Sequence, residues 1–259
     1  MANNKSKSKI LRSLTSKVIS FKIPKLLSFN AELFVDSKIA IVDVENKIGS
    51  KLVVVRSSAA DEDNNISSLA GEYASVLNIP SNNPETITEA INTVIASYEK
   101  KRPLLPEDEV IIQEMVQNTT MSGVIFTHDL NTGAPYYVIN YDDQSGLTDT
   151  VTSGDGEYAN RTLYVHRNSI DNLRSERFRK LLLAVQELEQ VMDSKFLDIE
   201  FALGKDLTPY LLQVRTITTK LNWNRAVARR IDTTLYGVQT FVTERFKKLN
   251  DVCKSDRRR

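Results

Sequence analysis

Four polar residues in the last quarter of the chain have the types and spacing that phosphoryl chemistry needs. Asp198 and Glu200 alternate with apolar residues, and so do Gln213 and Arg215. Because successive side chains of a β-strand point to opposite faces, each pair would share one face. Carboxylate and amide oxygens suit Mg²⁺, and the planar guanidinium of arginine binds phosphate oxygens bidentately. The four residues therefore predict a metal and phosphate site, with a solvated sheet face as the alternative.

The two runs that carry these residues predict a β-hairpin. Residues 197–203 and 209–215 are rich in strand-forming types, and the turn between them contains Gly204-Lys205-Asp206. Runs of this kind that are separated by a short turn pair as antiparallel strands. Cross-strand neighbours interact directly, so pairing would bring the two acids next to Gln213 and Arg215.

Local patterns also predict elements that could position this hairpin. A valine-rich strand over residues 51–55 ends at Arg56-Ser57-Ser58. Asn83-Pro84 begins a helix with one apolar face, because asparagine caps helices and proline fits their first turn. A second amphipathic helix is predicted over residues 175–193.

Three further β-rich runs predict an antiparallel meander. They cover residues 110–116, 123–127 and 136–140 and are separated by turn-forming residues. We interpret this meander as the sheet of a larger lobe.

A basic amphipathic helix is predicted over residues 222–249. An exposed apolar stripe on such a helix would be costly in water. The helix is therefore interpreted as a linker or docking segment that packs only partly on its own domain or associates with itself, and full docking on the domain is the alternative. The stripe includes Leu235, Val238, Val242 and Phe246.

Composition limits the class of protein. The 259 residues carry a formal net charge of +1, which gives no sign of a nucleic-acid partner. Cys253 is the only cysteine, so an intrachain disulfide is excluded and a reducing cytoplasm is the predicted location. The basic residues 1–9 precede no continuous apolar segment, so neither export nor a membrane partner is predicted.

Five motifs in a fixed order resemble the nucleotide-binding domain of the phosphoenolpyruvate synthase and pyruvate phosphate dikinase family. The first is a VRSS segment, and the others follow it in family order. The resemblance covers residues 7–218. The motifs are Val53 to Ala59 with Glu62-Asp63 and Ala70-Gly71, then Ile112 to Val116, Ser122 to Thr127, Asp198-Ile199-Glu200 and Leu211 to Arg215.

The resemblance implies an α+β fold, a two-lobed ATP-grasp domain with antiparallel sheet that closes on its nucleotide. The expected domain occupies residues 1–219, with a smaller lobe over 1–105 and a larger lobe over 106–219. Residues 220–259 are the expected C-terminal helical segment.

The resemblance also assigns roles to individual residues toward ATP and Mg²⁺. Arg56 and Arg215 are the expected catalytic and phosphate-binding residues. Glu200 and Gln213 are the expected metal ligands, and Asp198 is a supporting nucleotide-binding residue.

A phosphate-binding lysine is expected near the start of the chain. The family places it in a GGKG loop, whereas this chain has Ser6-Lys7-Ser8-Lys9. Lys7 matches the family spacing to Leu11, and Lys9 is the competing candidate. The alternative is a solvated basic terminus, and the changed loop leaves retention of activity open.

Adenine is expected at a hinge that resembles the family's QEMV segment. Gln113, Met115 and Val116 are the nucleotide-binding residues there, and recognition would use backbone N–H and C=O groups. Gly71 is expected in a loop that covers the phosphates.

The segment 140–146, followed by Thr152-Ser153-Gly154, resembles the L-glutamine kinase branch of the family. That branch serves capsule phosphoramidate assembly and phosphorylates the amide of L-glutamine with ATP and water, yielding AMP and phosphate.

The family's phosphate passes from ATP to a histidine on a separate mobile domain, in cis or in trans. Neither His128 nor His166 lies in the sequence setting of that phosphocarrier. The chain is therefore expected to perform the first half-reaction of an AMP-forming kinase. The alternatives are a catalytically inert nucleotide-binding or structural module and, in another class, an ADP-forming ligase. The final phosphate acceptor and the oligomeric state stay open.

Overall fold

The computed structural model describes residues 6–37, 44–59, 73–146, 161–217 and 225–256. By compactness these residues form two units, one of residues up to 128 together with 136–217, and one of residues 129–135 together with the C-terminal helix. The first unit contains two antiparallel sheets, each with its own hydrophobic core. The predicted α+β fold with antiparallel sheets is confirmed.

The first sheet has four strands in the order β1-β4-β2-β3. Its core combines the buried side of the sheet with apolar residues of three helices, α2, α3 and α4. The strands are β1 (Leu26–Asn30), β2 (Leu52–Ser58), β3 (Ser75–Pro80) and β4 (Glu109–Glu114), and the helices are α2 (Ala31–Ser37), α3 (Val44–Ile48) and α4 (Pro84–Glu99).

Helix α4 begins where the sequence predicts it. The Asn83 side chain accepts hydrogen bonds from the N–H groups of Glu85 and Thr86, and Pro84 occupies the first turn. The Asn83 side chain pairs two of the N–H groups that a helix start leaves free, and Pro84 has no N–H group that would need a partner. The apolar face is fully buried at Ile87 and Ile91, so the predicted amphipathic helix is confirmed.

The second sheet has five strands in the order β7-β6-β5-β8-β9. Apolar residues from two helices, α1 and α5, and from a short 3₁₀ helix complete its core. The strands are β5 (Thr119–Phe126), β6 (Tyr136–Asp142), β7 (Arg161–His166), β8 (Leu197–Gly204) and β9 (Pro209–Thr216); the helices are α1 (Lys7–Leu14), the 3₁₀ helix (Arg167–Asn172) and α5 (Glu176–Val191).

The predicted three-stranded meander is wrong in its first member. Strand β4 pairs with β1 and β2 in the first sheet, and only β5 and β6 pair with each other. The chain changes sheets between Glu114 and Thr119, a stretch in which Asn118 has a φ of 55°. Asparagine tolerates this left-handed conformation, so the segment that reads as a short turn in the sequence instead redirects the chain.

The Tyr98 hydroxyl joins two strands of the first sheet near their ends. It accepts the backbone N–H of Ser58 at 2.8 Å and donates to the backbone carbonyl of Glu109 at 2.8 Å. Since Tyr98 is fully buried in α4, these bonds fix the last residue of β2 and the first residue of β4.

Gly123 lies where β5 and β6 approach each other closely. A Cβ at this position would be 2.0 Å from the Asn140 carbonyl oxygen and 2.8 Å from the Cα of Tyr141. Such distances cannot be reached by side chains, so only glycine permits this spacing.

Helix α6 (Arg225–Asp256) has 32 residues and includes the predicted basic helix from residue 225 onward, whereas residues 222–224 lie outside the described residues. Four members of the predicted apolar stripe are exposed by 40 to 63%: Leu235, Val238, Val242 and Phe246. Among the helices described, none combines the length and apolar character required to cross a bilayer.

Candidate functional site

The hairpin of β8 and β9 brings the predicted polar residues together. Asp198 lies opposite Arg215, and Glu200 lies opposite Gln213, in the antiparallel register. Arg215 Nε and Nη2 are 2.7 Å and 2.5 Å from Asp198 Oδ2. The predicted hairpin is confirmed, and the alternation of polar and apolar residues explains why all four groups share one face.

Arg56 joins this group from the first sheet. The buried valines of β2 hold the strand in its core, and Arg56 follows them at intermediate burial. Its Nη2 atom is 2.5 Å from Glu200 Oε2 and 3.4 Å from Gln213 Oε1. The two oxygens therefore converge on one cationic nitrogen, and the side chain of Arg56 bridges the two sheets.

Burial and charge act in opposite directions on the two acids. Burial raises the pKa of Asp198, and the neighbouring charge of Arg215 offsets this only in part. Burial would also raise the pKa of Glu200, but the charges of Arg56, Lys7 and Arg215 outweigh it, so the pKa is lowered. Glu200 is thus held as a carboxylate, the form that binds a cation.

The donor set of this site fits Mg²⁺. Glu200 and Gln213 offer hard oxygens that already converge on a positive group, the Arg56 guanidinium. Among the described residues no cluster of three or more His, Cys, Asp or Glu side chains could form a metal cage. Mg²⁺ commonly binds through one or two protein ligands together with substrate phosphates and water, so two oxygens suffice.

Lys7 lies near the acids, and Lys9 does not share its environment. Lys7 occupies the first turn of α1 at intermediate burial, and its charge acts on both Asp198 and Glu200. Lys9 is exposed two positions further along the helix. The structure therefore places Lys7, and not Lys9, with the other candidate site residues.

The serines on either side of Lys7 are anchored to a residue of the first sheet. Ser6 Oγ donates to Glu109 Oε2 at 2.7 Å, and the Ser8 hydroxyl donates to the same oxygen. No sequence pattern indicates these contacts, because they join residues about one hundred positions apart. The Ser6 side chain, at the N-cap position of α1, makes no capping hydrogen bond to a backbone N–H of the helix.

A cavity opens beside Arg56 and Glu200. Its lining includes the three residues predicted to bind adenine, and apolar side chains from both sheets form its walls. The lining residues are Val54, Arg56, Ser75, Leu77, Gln113, Glu114, Met115, Val116, Glu200 and Leu212.

Two groups in this cavity suit a nucleotide base. Gln113 is 1% exposed, and its Nε2 donor has no partner among the described residues. The Met115 N–H is already bonded to the Leu52 carbonyl at 3.1 Å, whereas no bond of the Val116 N–H is found within the described part of the chain. Buried donors are normally satisfied, so Gln113 is the group here that a ligand would complete, and Val116, at intermediate burial, offers a backbone N–H to the same cavity.

Several predicted features lie outside the described residues. They are Glu62-Asp63, Ala70-Gly71 and Thr152-Ser153-Gly154. The segment before the last of these is ordered by its acids: Asp142 accepts the N–H groups of Gln144 and Ser145, and Asp143 pairs with Arg161 and Arg177 at 2.5 Å and 2.9 Å.

The two histidines have structural surroundings. His128 is 2% exposed and stacks on Phe196 with ring centres 4.5 Å apart. Burial, aided by the charge of Arg167, lowers the pKa of His128 to about 4. His166 accepts the Asn168 N–H at 3.4 Å at the start of the 3₁₀ helix.

Comparison with known proteins gives a family match. The family described as "Pyruvate phosphate dikinase, AMP/ATP-binding domain" matches residues 22–169, which is more than half of the chain. No curated protein sequence matches the chain.

Solved structures resemble the chain in fold. The structure of PH1788 from Pyrococcus horikoshii Ot3 has a TM-score of 0.52 at 14% identity, covering 82% of this chain and 90% of that one. An L-amino acid ligase from Bacillus licheniformis has a TM-score of 0.48 at 15% identity, covering 83% and 43%. D-alanyl-alanine synthetase A from Vibrio cholerae has 0.47 at 16%, covering 85% and 57%. The chain thus spans about half the length of the two enzymes, and at these identities the likeness concerns the fold alone.

Proposed function

Because the chain belongs to the pyruvate phosphate dikinase AMP/ATP-binding domain family, we propose that it binds Mg-ATP and transfers phosphate to a histidine of a separate carrier domain. Membership in this family supports ATP binding. The transfer is the first half-reaction of an AMP-forming kinase, in which ATP, water and the histidine give phosphohistidine, AMP and inorganic phosphate. Asp198, Glu200, Gln213, Arg56, Arg215 and Lys7 surround the phosphates, and Gln113, Met115 and Val116 surround adenine.

The observation that carries the proposal is the convergence of Arg56, Glu200 and Gln213 beside a cavity. Arg56 Nη2 lies 2.5 Å from Glu200 Oε2 and 3.4 Å from Gln213 Oε1. A triphosphate offers arginine a more highly charged partner, and bidentate contact with phosphate favours such an exchange. Release of Glu200 and Gln213 by Arg56 would leave both oxygens free for the cation that accompanies ATP.

The residues around the phosphates then divide three tasks among them. Arg56, Arg215 and Lys7 neutralise phosphate oxygens, and Asp198 holds the Arg215 guanidinium in place through its bonds at 2.5 Å and 2.7 Å. Glu200 and Gln213 would hold Mg²⁺, and the ion would neutralise negative charge on the phosphates. Phosphoryl transfer depends mainly on positioning and electrostatic stabilisation, and these groups provide both.

The acceptor proposed for the complete reaction is L-glutamine. Its support is the resemblance of segment 140–146 to the glutamine kinase branch. The carrier histidine belongs to another domain, in cis or in trans, because the surroundings of His128 suit a packed, uncharged imidazole rather than a phosphocarrier.

Calorimetric titration with ATP tests the binding step. We expect wild-type protein to bind ATP with Mg²⁺ at least about tenfold more tightly than with EDTA, since Glu200 would hold the metal that accompanies the nucleotide. Glu200→Gln should lose most of this difference, whereas Glu45→Gln, at an exposed position of helix α3, should keep it. Absence of binding by folded wild-type protein at millimolar Mg-ATP rejects the proposal.

An inert nucleotide-binding module is the second candidate, favoured by Ser6-Lys7-Ser8 at the place of the family's GGKG loop. The two are separated by incubating the chain with ATP, L-glutamine and a histidine carrier domain. Production of AMP that is lost in Arg56→Ala supports the kinase, and binding without turnover supports the inert module. Release of ADP instead of AMP supports a ligase-type reaction.

A further inference from the structure

We infer that Glu109 is a positioning residue for nucleotide binding, which holds Lys7 at the phosphate site through the hydroxyls of Ser6 and Ser8. This inference rests on the proposed function. It assigns a role to a residue that belongs to none of the motifs and is separated by more than one hundred positions from Ser6 and Ser8.

Glu109, Ser6 and Ser8 are in mutual hydrogen-bond contact. One carboxylate oxygen, Oε2, accepts hydrogen bonds from both Ser6 and Ser8, and the two hydroxyl oxygens are 3.2 Å from each other. The two serines flank Lys7, so both neighbours of the lysine are tied to the same atom. Hydrogen bonds to an ionised acceptor are stronger than those between neutral groups.

Glu109 itself is fixed. It is the first residue of β4, it lies opposite Asn30 of β1 and Ser58 of β2, and its carbonyl accepts the Tyr98 hydroxyl at 2.8 Å. A side chain on such a backbone is a suitable anchor, because its own position is set by the first sheet.

Lys7 is the residue that this anchor orients. Its charge acts on Asp198 and Glu200, so the first turn of α1 presents a cation to the acids of the second sheet. A lysine side chain has four rotatable bonds and gains little from a site unless its backbone is held. Serine hydroxyls bonded to Glu109 hold the backbone on both sides of Lys7.

The anchor also explains how the chain can do without a glycine-rich start. Glycines let the backbone approach phosphates closely, but they leave the loop to be ordered by the ligand. In this chain helix α1 starts at Lys7, and Ser8 is 1% exposed beneath it. The lysine is thus ordered before the nucleotide arrives, which lowers the cost of binding.

Affinity for Mg-ATP in a double-mutant cycle tests this role. Glu109→Ala should weaken binding by about 5- to 30-fold, the range expected for hydrogen bonds to a charged group. Glu109→Gln keeps an oxygen that can accept both hydroxyls, so it should restore affinity to within about threefold of wild type. In a Lys7→Met background, Glu109→Ala should add less than about twofold, because the residue that it positions is gone.

Glu187→Ala is the matched control. The Glu187 carboxylate also anchors the N-terminal segment, but at the N–H groups of Ile19 and Ser20, each at 2.7 Å. Glu187→Ala should leave Mg-ATP affinity within about twofold of wild type, because its contacts do not involve the residues beside Lys7 and distant sites are usually independent.

Each result has a distinct meaning. Lack of Mg-ATP binding by wild type overturns the proposed function and this inference with it. Wild-type binding that Glu109→Ala leaves unchanged overturns the inference alone. An equal loss in the Lys7 and Lys7→Met backgrounds also overturns it, because Glu109 would then act on folding or on another group.

Discussion

Arg215 and Asp198 are joined across the β8–β9 hairpin by two guanidinium nitrogens that lie 2.7 Å and 2.5 Å from one carboxylate oxygen. The second Asp198 oxygen takes no part in these two bonds. The exposed fraction of the side chain is 16% for Arg215 and 10% for Asp198. The pair therefore presents an oriented guanidinium at the site.

Reversing the charge of Arg215 should remove ATP binding and also weaken the fold. Arg215→Glu faces Asp198 with a second acid and would remove the bidentate phosphate contact proposed for Arg215, so affinity should fall by at least about 100-fold. Loss of the partner of a largely buried acid should cost about 1 to 3 kcal/mol of unfolding free energy. Calorimetric titration and urea unfolding measure the two effects.

Two variants separate binding from folding at this position. Arg215→Lys retains the charge without the planar fork, so its affinity should fall by about tenfold. Arg215→Gln combined with Asp198→Asn replaces the ion pair by neutral groups and should recover stability but not affinity. Wild-type binding by Arg215→Glu would contradict the assignment of the hairpin to the phosphate site.

Replacing Gln113 with leucine should stabilise the fold and weaken ATP binding. Gln113→Leu removes a buried donor that has no partner among the described residues, so the unfolding free energy should rise by about 1 kcal/mol. The same change should weaken ATP binding by about 5- to 50-fold if Nε2 donates to the base. Leu212→Val, which trims the cavity wall without removing a polar group, is the control for altered shape.

His128 should make stability depend on pH in the acidic range. Burial and Arg167 lower its pKa from 6.5 to about 4 in the folded state. The unfolded chain therefore binds the proton first, so stability is retained above pH 6.5 and is lost as the pH falls toward 4. This shift corresponds to roughly 3 kcal/mol in the fully acidic limit.

The comparison of His128→Phe with His166→Gln isolates this contribution. Urea unfolding from pH 7 to pH 4 should show a shallower decline for His128→Phe than for wild type, and His166→Gln should follow wild type. Parallel curves for all three proteins would mean that the carboxylates alone govern acid unfolding.

Truncation after Thr219 tests the role of helix α6. We expect the melting temperature to change by less than about 3 °C and solubility to improve, because exposed apolar residues are removed and the two cores, as far as the chain is described, include no residue of α6. Scanning calorimetry and light scattering over a concentration series are the measurements. A large drop in melting temperature would instead support full docking of the helix.

The candidate site was predictable where its geometry is local. Alternation along β8 and β9 placed Asp198, Glu200, Gln213 and Arg215 on one face, since the period of a strand is a property of the backbone. Asn83-Pro84 located the start of α4 for the same kind of reason. Both signals lie within a few residues of the feature that they predict.

Features that depend on distant contacts were not predictable from these patterns. The β-rich run of β4 is the same whether it pairs with β5 or with β1 and β2, so its sheet could not be chosen. No local motif marks Glu109, because its partners Ser6 and Ser8 lie near the start of the sequence. Strand β3 went unassigned; it alternates only weakly and contains Asn78 with a φ of 58°.

The close approach at Gly123 changes how substitutions in this protein should be read. A methyl group there would meet the Asn140 carbonyl oxygen at 2.0 Å and force β6 away from β5. Strand β5 also carries Val124, the neighbour of Glu200 on β8, so the displacement would reach the acid that is proposed to hold Mg²⁺. In a mutational scan scored by ATP turnover, substitutions of Gly123 would therefore lower activity as much as substitutions of the proposed ligand-binding residues, although glycine has no side chain that could touch a ligand. Intolerance at this position would record the spacing between two backbones, and only a separate measurement of folding would distinguish it from chemistry.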